Sequence, residues 1–326
     1  MKRLALVSAQ QRSELFAATA SRMGITPAAA EKDFWIVWVL ARLFEHAKWG
    51  QLLRFKGGTS LSKAYGVIER FSEDIDLILD WSGLSADNPT AQRSKTSQQK
   101  LNTKINQAAQ ALIAEQLLPD LQSSFSPVCT VALDDQDPHT LNVFYPAVFA
   151  AGYLRPVIRL EIGPLAAMLP MQHCMIESYA ASKFPQVFSQ PGVQVPTIKL
   201  ERSFWEKLTI LHAEAHRPAN KPLPSRYARH YYDVWCLAQH SAIDAFIQNA
   251  GLLAEVVQFK QQFYPVGWAS YNTATPAQIR LLPAPKHLDL LKKDYQAMQE
   301  MLFGETPDFI TLMNDLQKLQ NTINTV

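Results

Sequence analysis

The chain has little cysteine: three in 326 residues, Cys129, Cys174 and Cys236, far apart and without a Cys-x-x-Cys pair. That excludes a disulfide framework and a zinc knuckle, and it points to a reducing compartment with each thiol a small core residue. A long apolar run is also missing. The most apolar stretch, Phe34 to Phe44, is bounded by Lys32-Asp33 and Glu45. It is too short to span a bilayer and reads as a buried helix. The opening residues MKRLALVSAQQRSE carry charge, but their apolar segment is too short for a secretory signal, so a cytoplasmic protein without a membrane partner is the expectation. Charge of one sign is lacking too: 31 Lys and Arg against 29 Asp and Glu leave a net charge of +2. A balance that mild does not mark a nucleic-acid binder; local clusters have to carry that case. Internal repeats and low-complexity tracts are absent. What is present is 48% hydrophobic composition, enough for a large core and one or two domains.

The sequence is organised around Phe55 to Asp80, FKGGTSLSKAYGVIERFSEDIDLILD. Its left end reads as a short strand, Gly57-Gly58-Thr59-Ser60 as a tight turn, and Leu61 to Tyr65 as the first turns of a helix. Its right end, Ile75 to Leu79, alternates as a strand with Asp74 and Asp76 at its mouth. Residues two apart on a strand share a face, so the two carboxylates stand side by side. They repel unless a proton or cation lies between them, and a hard divalent ion such as Mg²⁺ suits them because it takes oxygen ligands and keeps places for water and phosphate. The glycines let backbone approach a phosphate, the helix start offers unpaired N–H groups, and Ser60 adds a hydroxyl. A phosphate cradle beside a carboxylate pair implies phosphoryl or nucleotidyl transfer. Lys63 and Arg70 read in two ways: as contacts to triphosphate or nucleic-acid backbone, or as partners of Asp74 or Glu73.

Elsewhere the punctuation is local. Ser8 caps a helix that Gly24 stops, and Thr26-Pro27 opens a second, running to about Lys48. Within it, Glu31-Lys32-Asp33 reads, from its residues alone, as acidic residues near a helix start with a solvated Lys. Gln98 to Leu121 has helical apolar spacing, with Lys95, Lys100 and Lys104 on its exposed face. Pro127 to Leu133 and Leu141 to Tyr145 read as strands, and the acidic turn between them as a plain hairpin loop. In Val157 to Gly163, Glu161 sits inside an apolar strand, which is costly unless it is paired or metal-bound; Arg159 is the alternative partner. Met171 to Ile176 reads as the last strand of the sheet. The segment Gly192 to Thr197, marked by Pro191 and Pro196, reads as a linker, which places domains at 1–195 and 196–326. Leu200 to His216 is an amphipathic helix on which Lys207 reads as a salt-bridging surface residue. Arg226, Arg229 and His230, interleaved with aromatics, form the best nucleic-acid-like patch. From Ala242 onward the chain is mostly helical.

Gly57-Gly58-Thr59-Ser60 followed by Arg70-Phe71-Ser72-Glu73-Asp74-Ile75-Asp76-Leu77 resembles the first motif of the AbiEii/AbiGii toxin family of nucleotidyltransferases, within the DNA polymerase β-like superfamily. Arg202-Ser203-Phe204-Trp205-Glu206-Lys207-Leu208 resembles the second motif, Tyr231-Tyr232-Asp233 a third, and Asp294 to Met298 with Met301 to Phe309 the tail. Glu31-Lys32-Asp33 resembles a recurring element of the family, on a helix that supports the core. The resemblance implies an α/β (α+β) fold: a mixed sheet with supporting N-terminal helices and a mostly helical C-terminal lobe, with the active site between the lobes. It implies an enzyme moving NMP from an NTP to an acceptor hydroxyl, with RNA and above all tRNA as the acceptor. The setting implied is a type IV toxin–antitoxin or abortive-infection system with a cognate antitoxin. By resemblance the nucleotide-binding residues are Gly57, Gly58, Thr59, Ser60, Lys63 and Lys207. The metal ligands for Mg²⁺ or Mn²⁺ are Asp74, Asp76 and Glu161, and Lys207 supported by Asp233 completes the catalytic set. Protein nucleotidylation, or a non-catalytic NTP- or RNA-binding module, are the alternatives.

Overall fold

The computed structural model describes residues 1, 3–149, 156–304 and 306–326, with Glu300 described by its backbone alone. Glu305, part of the tail resemblance, lies outside the described residues. The chain divides into two compact units, 1–65 with 71–89 and 100–198, and 66–70 with 90–99 and 199–326.

The first unit begins with two helices whose limits follow from their caps. Helix α1 (Ala9–Met23) starts at a capping box between Ser8 and Gln11 and ends at Gly24, which takes a left-handed φ of 66°. Helix α2 (Pro27–Phe44) starts where the Thr26 hydroxyl accepts from Ala29 N–H, with Pro27 at the first helical position. Almost every side chain of α2 is buried, Glu31, Lys32 and Asp33 included. A short helix α3 (Trp49–Leu52) leads into strand β1 (Leu53–Lys56), and helix α4 (Gly57–Lys63) follows at once. The Gly-Gly-Thr-Ser segment is therefore the first turn of the helix, not a turn ahead of it. Strand β2 (Ile75–Leu79), helices α5 (Lys95–Leu112) and α6 (Leu118–Phe125), and strands β3 (Thr130–Leu133), β4 (Thr140–Phe144), β5 (Val157–Gly163) and β6 (Met171–Glu177) come next, then the short helix α7 (Tyr179–Lys183) and strand β7 (Gly192–Ile198).

These strands form one mixed sheet in the order β3-β4-β5-β2-β1-β7-β6. The pairs β2/β5 and β1/β7 are parallel and the others antiparallel. Two sequence expectations fail here. Met171–Glu177 is an edge strand but not the last in sequence, and Gly192–Ile198 is a strand rather than a linker. Pro191 precedes that strand. Its parallel pairing with β1 is Phe55 opposite Thr197, and Pro196 lies within the strand, opposite His173 of β6. Helix α2 packs on α1 and β7, and Trp35 and Trp38 bury into a cluster with Tyr145 and Phe125.

The second unit is helical: α8 (Leu200–Ala215), α9 (Ala228–Ala238), α10 (Ile243–Gln248), α11 (Ala250–Phe263), α12 (Leu288–Ala297) and α13 (Phe309–Ile323). Helix α8 packs on α9 and α11, and α9 on α12 and α13. The short segment 66–70 belongs here by its backbone: Arg70 pairs with Leu302, and Phe303 N–H donates to the Glu69 carbonyl at 2.9 Å. All three cysteines are free and buried, and burial pushes the Cys129 and Cys236 thiols up to about 12.

Within α8, His212 is fully buried between Ser270 O, 3.1 Å from Nε2, and Arg280 N–H, which donates to Nδ1 at 3.1 Å. Burial, then nearby cations, depress its pKa to about 4, against the hydrogen bond to Ser270 O that favours the charged ring. A histidine whose folded pKa is depressed stays neutral while the unfolded chain takes up a proton. Its stabilising contribution is therefore complete above pH ~6.5 and is lost as pH falls from there toward 4. His212→Gln should lower the melting temperature at pH 7, because Arg280 N–H loses its acceptor, a cost of about 1–3 kcal/mol. It should also flatten the pH 6.5 to 4 decline. Melting curves at stepped pH check both; a decline of equal slope in both proteins contradicts the assignment.

Candidate active site

In the first unit, β2 and β5 run parallel in the register Asp76 opposite Glu161. Paired residues on neighbouring strands share a face about 5 Å apart. Asp74, two residues earlier, adds a third carboxylate at the strand mouth. All three side chains are partly exposed. Burial first, then the charges of Asp76 and Glu73, raise the Asp74 pKa, against Lys32 and Arg159, which lower it. Glu161 is raised by burial and then by Asp76 and Asp74, against Arg159. These carboxylates hold negative charge that the surroundings do not fully compensate. That is the donor set a hard divalent cation fits. Among the described residues no three His, Cys, Asp or Glu side chains already converge on a metal-sized point. Glu161 instead leans on Arg159, Nε to Oε1 3.4 Å, and Arg159 also reaches Asp134 at 3.2 Å. So the acidic hairpin turn is more than a plain loop: it holds the guanidinium that holds Glu161.

Gly57 abuts this set directly. Its φ is 79°, and a Cβ built there would lie 1.8 Å from Asp76 Oδ2. The glycine is required because backbone and carboxylate share one space, in addition to any ligand's need. Gly57→Ala should therefore displace Asp76 and strain the backbone together. We expect loss of transfer to below about 1% and a drop in stability of at least ~1 kcal/mol. Activity assays paired with thermal melts check this; near-normal activity would show that Asp76 can move freely.

The other cradle side chains are turned inward. Ser60 is fully buried and its hydroxyl donates to the Gly57 carbonyl at 2.8 Å. Thr59 is also buried, and its hydroxyl donates to the Asp74 carbonyl at 2.5 Å, tying the cradle to the carboxylate strand. Lys63, expected at the triphosphate, lies in a buried ion pair with Asp33 and over the Tyr179 ring at 4.0 Å. These three residues brace the cradle; Gly57 and Gly58 supply its backbone. The expectation of a solvated Lys32 also fails: Lys32 is 1% exposed and bonds Glu73 at 2.8 Å. Sequence reading had Lys32 and Asp33 on a helix that supports the core, but missed their pairing with Glu73 and Lys63. The available signal was three consecutive charges at the head of an otherwise apolar helix.

The second unit brings Lys207 and Asp233 together. Lys207 Nζ donates to Asp233 Oδ2 at 2.8 Å, and Arg70 grips the same carboxylate in bidentate fashion, Nε to Oδ1 at 2.6 Å and a terminal nitrogen to Oδ2 at 2.9 Å. Arg70 is thus a partner of Asp233. Burial alone would raise Asp233, but Arg70 and Lys207 outweigh it and hold the carboxyl well below the ordinary range. Burial lowers the Lys207 pKa, against the pull of Asp233. His230 lies 3.3 Å from Lys207, and burial followed by the Lys207 charge pushes its pKa well down, so the ring is neutral. Lys207 and Arg70 thus share the Asp233 carboxylate. A buried Lys207 replaces the surface salt bridge expected from spacing alone.

The Arg226, Arg229 and His230 patch is divided. Arg226 is exposed, with a left-handed φ of 62°, and its N–H donates to Asp294 at 2.7 Å. Arg229 is half-buried, while His230 belongs to the Lys207 cluster and packs edge-on to Tyr227.

Carboxylates facing one another beside a glycine backbone can hold a hard cation and the phosphates it would neutralise. That arrangement suits the transfer of phosphorus-containing groups. Residues 38–321 match the family model described as nucleotidyl transferase AbiEii toxin, of type IV toxin–antitoxin systems. The chain belongs to this AbiEii nucleotidyltransferase toxin family. Among solved structures it is similar to the nucleotidyltransferase toxin MenT4 from Mycobacterium tuberculosis H37Rv, with 16% identity over 97% of this chain and 99% of that one, at a TM-score of 0.41. It is also similar to JHP933 from Helicobacter pylori, with 15% identity over 91% and 92% of the two chains and a TM-score of 0.42. No curated protein sequence matches the chain as a relative. The family makes the protein a nucleotidyltransferase. Among the described residues no helix is long and apolar enough to cross a membrane.

Proposed function

We propose that this toxin moves an NMP from an NTP to a hydroxyl of RNA, with tRNA the leading acceptor, and that a cognate antitoxin restrains it. The observation that carries the reading is the register of Asp76 with Glu161, closed on one side by the Gly57 backbone. Asp74, Asp76 and Glu161 would hold Mg²⁺ or Mn²⁺, which when bound neutralises the triphosphate and polarises its α-phosphate. The chain's own residues do the rest. Backbone N–H groups at Gly57 and Gly58 receive phosphate oxygens. Lys207 is the cation assigned to the triphosphate, and Asp233 holds its ammonium in place at 2.8 Å. The acceptor oxygen bonds to the α-phosphorus, the bond to pyrophosphate breaks, and the hydroxyl proton passes to a carboxylate. Glu161, opposite Asp76 in the register, is the carboxylate assigned to that proton.

The test is incubation with total cellular RNA, Mg²⁺ and each α-labelled NTP in turn, with products treated by ribonuclease or protease. Ribonuclease-sensitive label with one preferred NTP supports the reading. Protease-sensitive label would move the acceptor to protein, and absence of any Mg²⁺-dependent NTP binding would leave neither. The exposed Arg226 with Arg229 is assigned to the RNA backbone. Changing both to Ala should weaken RNA binding and lower its salt slope by about 2; an unchanged slope would remove the patch from the interface.

A further inference from the structure

Helix α2 buries a charged triplet at its head, and each member reaches a distant segment. Glu31 accepts the N–H groups of Val148 and Phe149. Lys32 bonds Glu73, immediately before Asp74, at 2.8 Å. Asp33 accepts from Lys63, the last residue of α4, and from the Tyr179 N–H at 2.6 Å. Two adjacent residues of one rigid helix therefore hold the two ends of the stretch that carries the chemistry: the cradle helix through Lys63 and the carboxylate strand through Glu73. Between those ends Thr59 links cradle to strand at the Asp74 carbonyl. Buried ion pairs contribute little net stability compared with apolar packing, but they fix one geometry against alternatives. The carboxylates need such fixing, since they repel one another and do not converge unaided.

We propose that Lys32, acting through Glu73, is a positioning residue of the transfer reaction that sets the backbone bearing Asp74 for cation binding, with Asp33 doing the same for the cradle through Lys63. This rests on the reading of Asp74, Asp76 and Glu161 as the cation ligands. Lys32 touches no reacting atom; its role is geometric. Its charge offers the rival explanation, because a cation near carboxylates also alters metal affinity directly. The two accounts predict opposite signs. Loss of a nearby positive charge alone should tighten cation binding, whereas loss of the tie should weaken it.

Titrate the metal-free protein with Mn²⁺ alone, reading free ion by electron paramagnetic resonance, for wild type, Asp74→Asn, Lys32→Met, Lys32→Arg and the double variant Lys32→Met/Glu73→Met. The double variant leaves the net charge unchanged and no half of the pair buried alone, so it is expected to fold. Positioning predicts Mn²⁺ affinity about tenfold weaker in Lys32→Met and in the double variant, and near wild type in Lys32→Arg. In turnover it predicts kcat about tenfold lower with KM for NTP within about twofold. Tighter binding in Lys32→Met with no change in the double variant would show a charge effect and overturn the proposal. Should Lys32→Met fail to fold by circular dichroism, the double variant decides: unchanged affinity there overturns the proposal. Wild-type Mn²⁺ binding that is absent, or indifferent to Asp74→Asn, would instead sink the underlying assignment of ligands and this inference with it.

Discussion

Asp74→Asn should abolish transfer, by about 10³-fold or more, and yet raise the melting temperature of the metal-free protein. The first effect follows from removing one of the three proposed cation ligands, about 4 kcal/mol of transition-state stabilisation. The second follows from the raised pKa of Asp74, caused by burial and then by Asp76 and Glu73. A carboxylate whose folded pKa lies above its unfolded value binds protons more tightly when folded. Its favourable contribution is present at low pH and is lost as pH rises through the folded pKa. At pH 7 the ionised Asp74 therefore works against the fold, and the neutral amide relieves that, by roughly 2–4 °C if the gain is about 1 kcal/mol. Saturating Mg²⁺ should raise the wild-type melting temperature and leave Asp74→Asn nearly unmoved. Scanning calorimetry with and without Mg²⁺ reads both. A variant that melts lower than wild type without metal would mean that Asp74 is compensated by partners and is no ligand in waiting.

Asp233→Asn and Lys207→Met should separate stability from activity in the second unit. Asp233 is fully buried and receives both Arg70 and Lys207. Neutralising it leaves two buried cations facing each other, a cost of about 3–5 kcal/mol, or roughly 10 °C in melting temperature. Lys207→Met removes one of the two cations and leaves the bidentate Arg70–Asp233 pair intact, so it should fold with nearly wild-type stability. Its transfer rate should nonetheless fall by about 10²-fold or more if Lys207 serves the triphosphate as proposed. The pair of variants is decisive in combination. If Lys207→Met melts as low as Asp233→Asn while the surviving fraction turns over normally, Lys207 is a structural cation and its assignment to the triphosphate fails.

Local rules recovered much of this molecule from sequence. The caps at Ser8, Gly24 and Thr26, the strand Ile75–Leu79 and the strand holding Glu161 follow from side-chain chemistry within a few residues. The motif residues were legible because a glycine turn and two carboxylates two apart are short-range patterns. What stayed hidden depends on partners far away in the chain. Spacing cannot show that Lys63 meets Asp33, that Arg70 meets Asp233 across 163 residues, or that Lys207 is buried. Long cationic side chains read as solvated by default, and here the fold buries several of them against single carboxylates. The strand Gly192–Ile198 was masked by prolines, which read as strand breakers although Pro196 pairs with His173 inside the sheet.

The measurement that bears most directly on the whole account compares NTP labelled at the α-phosphate with NTP labelled at the γ-phosphate, in wild type and Asp76→Asn, with RNA and Mg²⁺ present. Nucleotidyl transfer predicts α-label entering RNA, γ-label leaving as pyrophosphate, and neither event above background in Asp76→Asn. Label entering RNA from the γ-phosphate, or α-label entering equally well with Asp76→Asn, would contradict it.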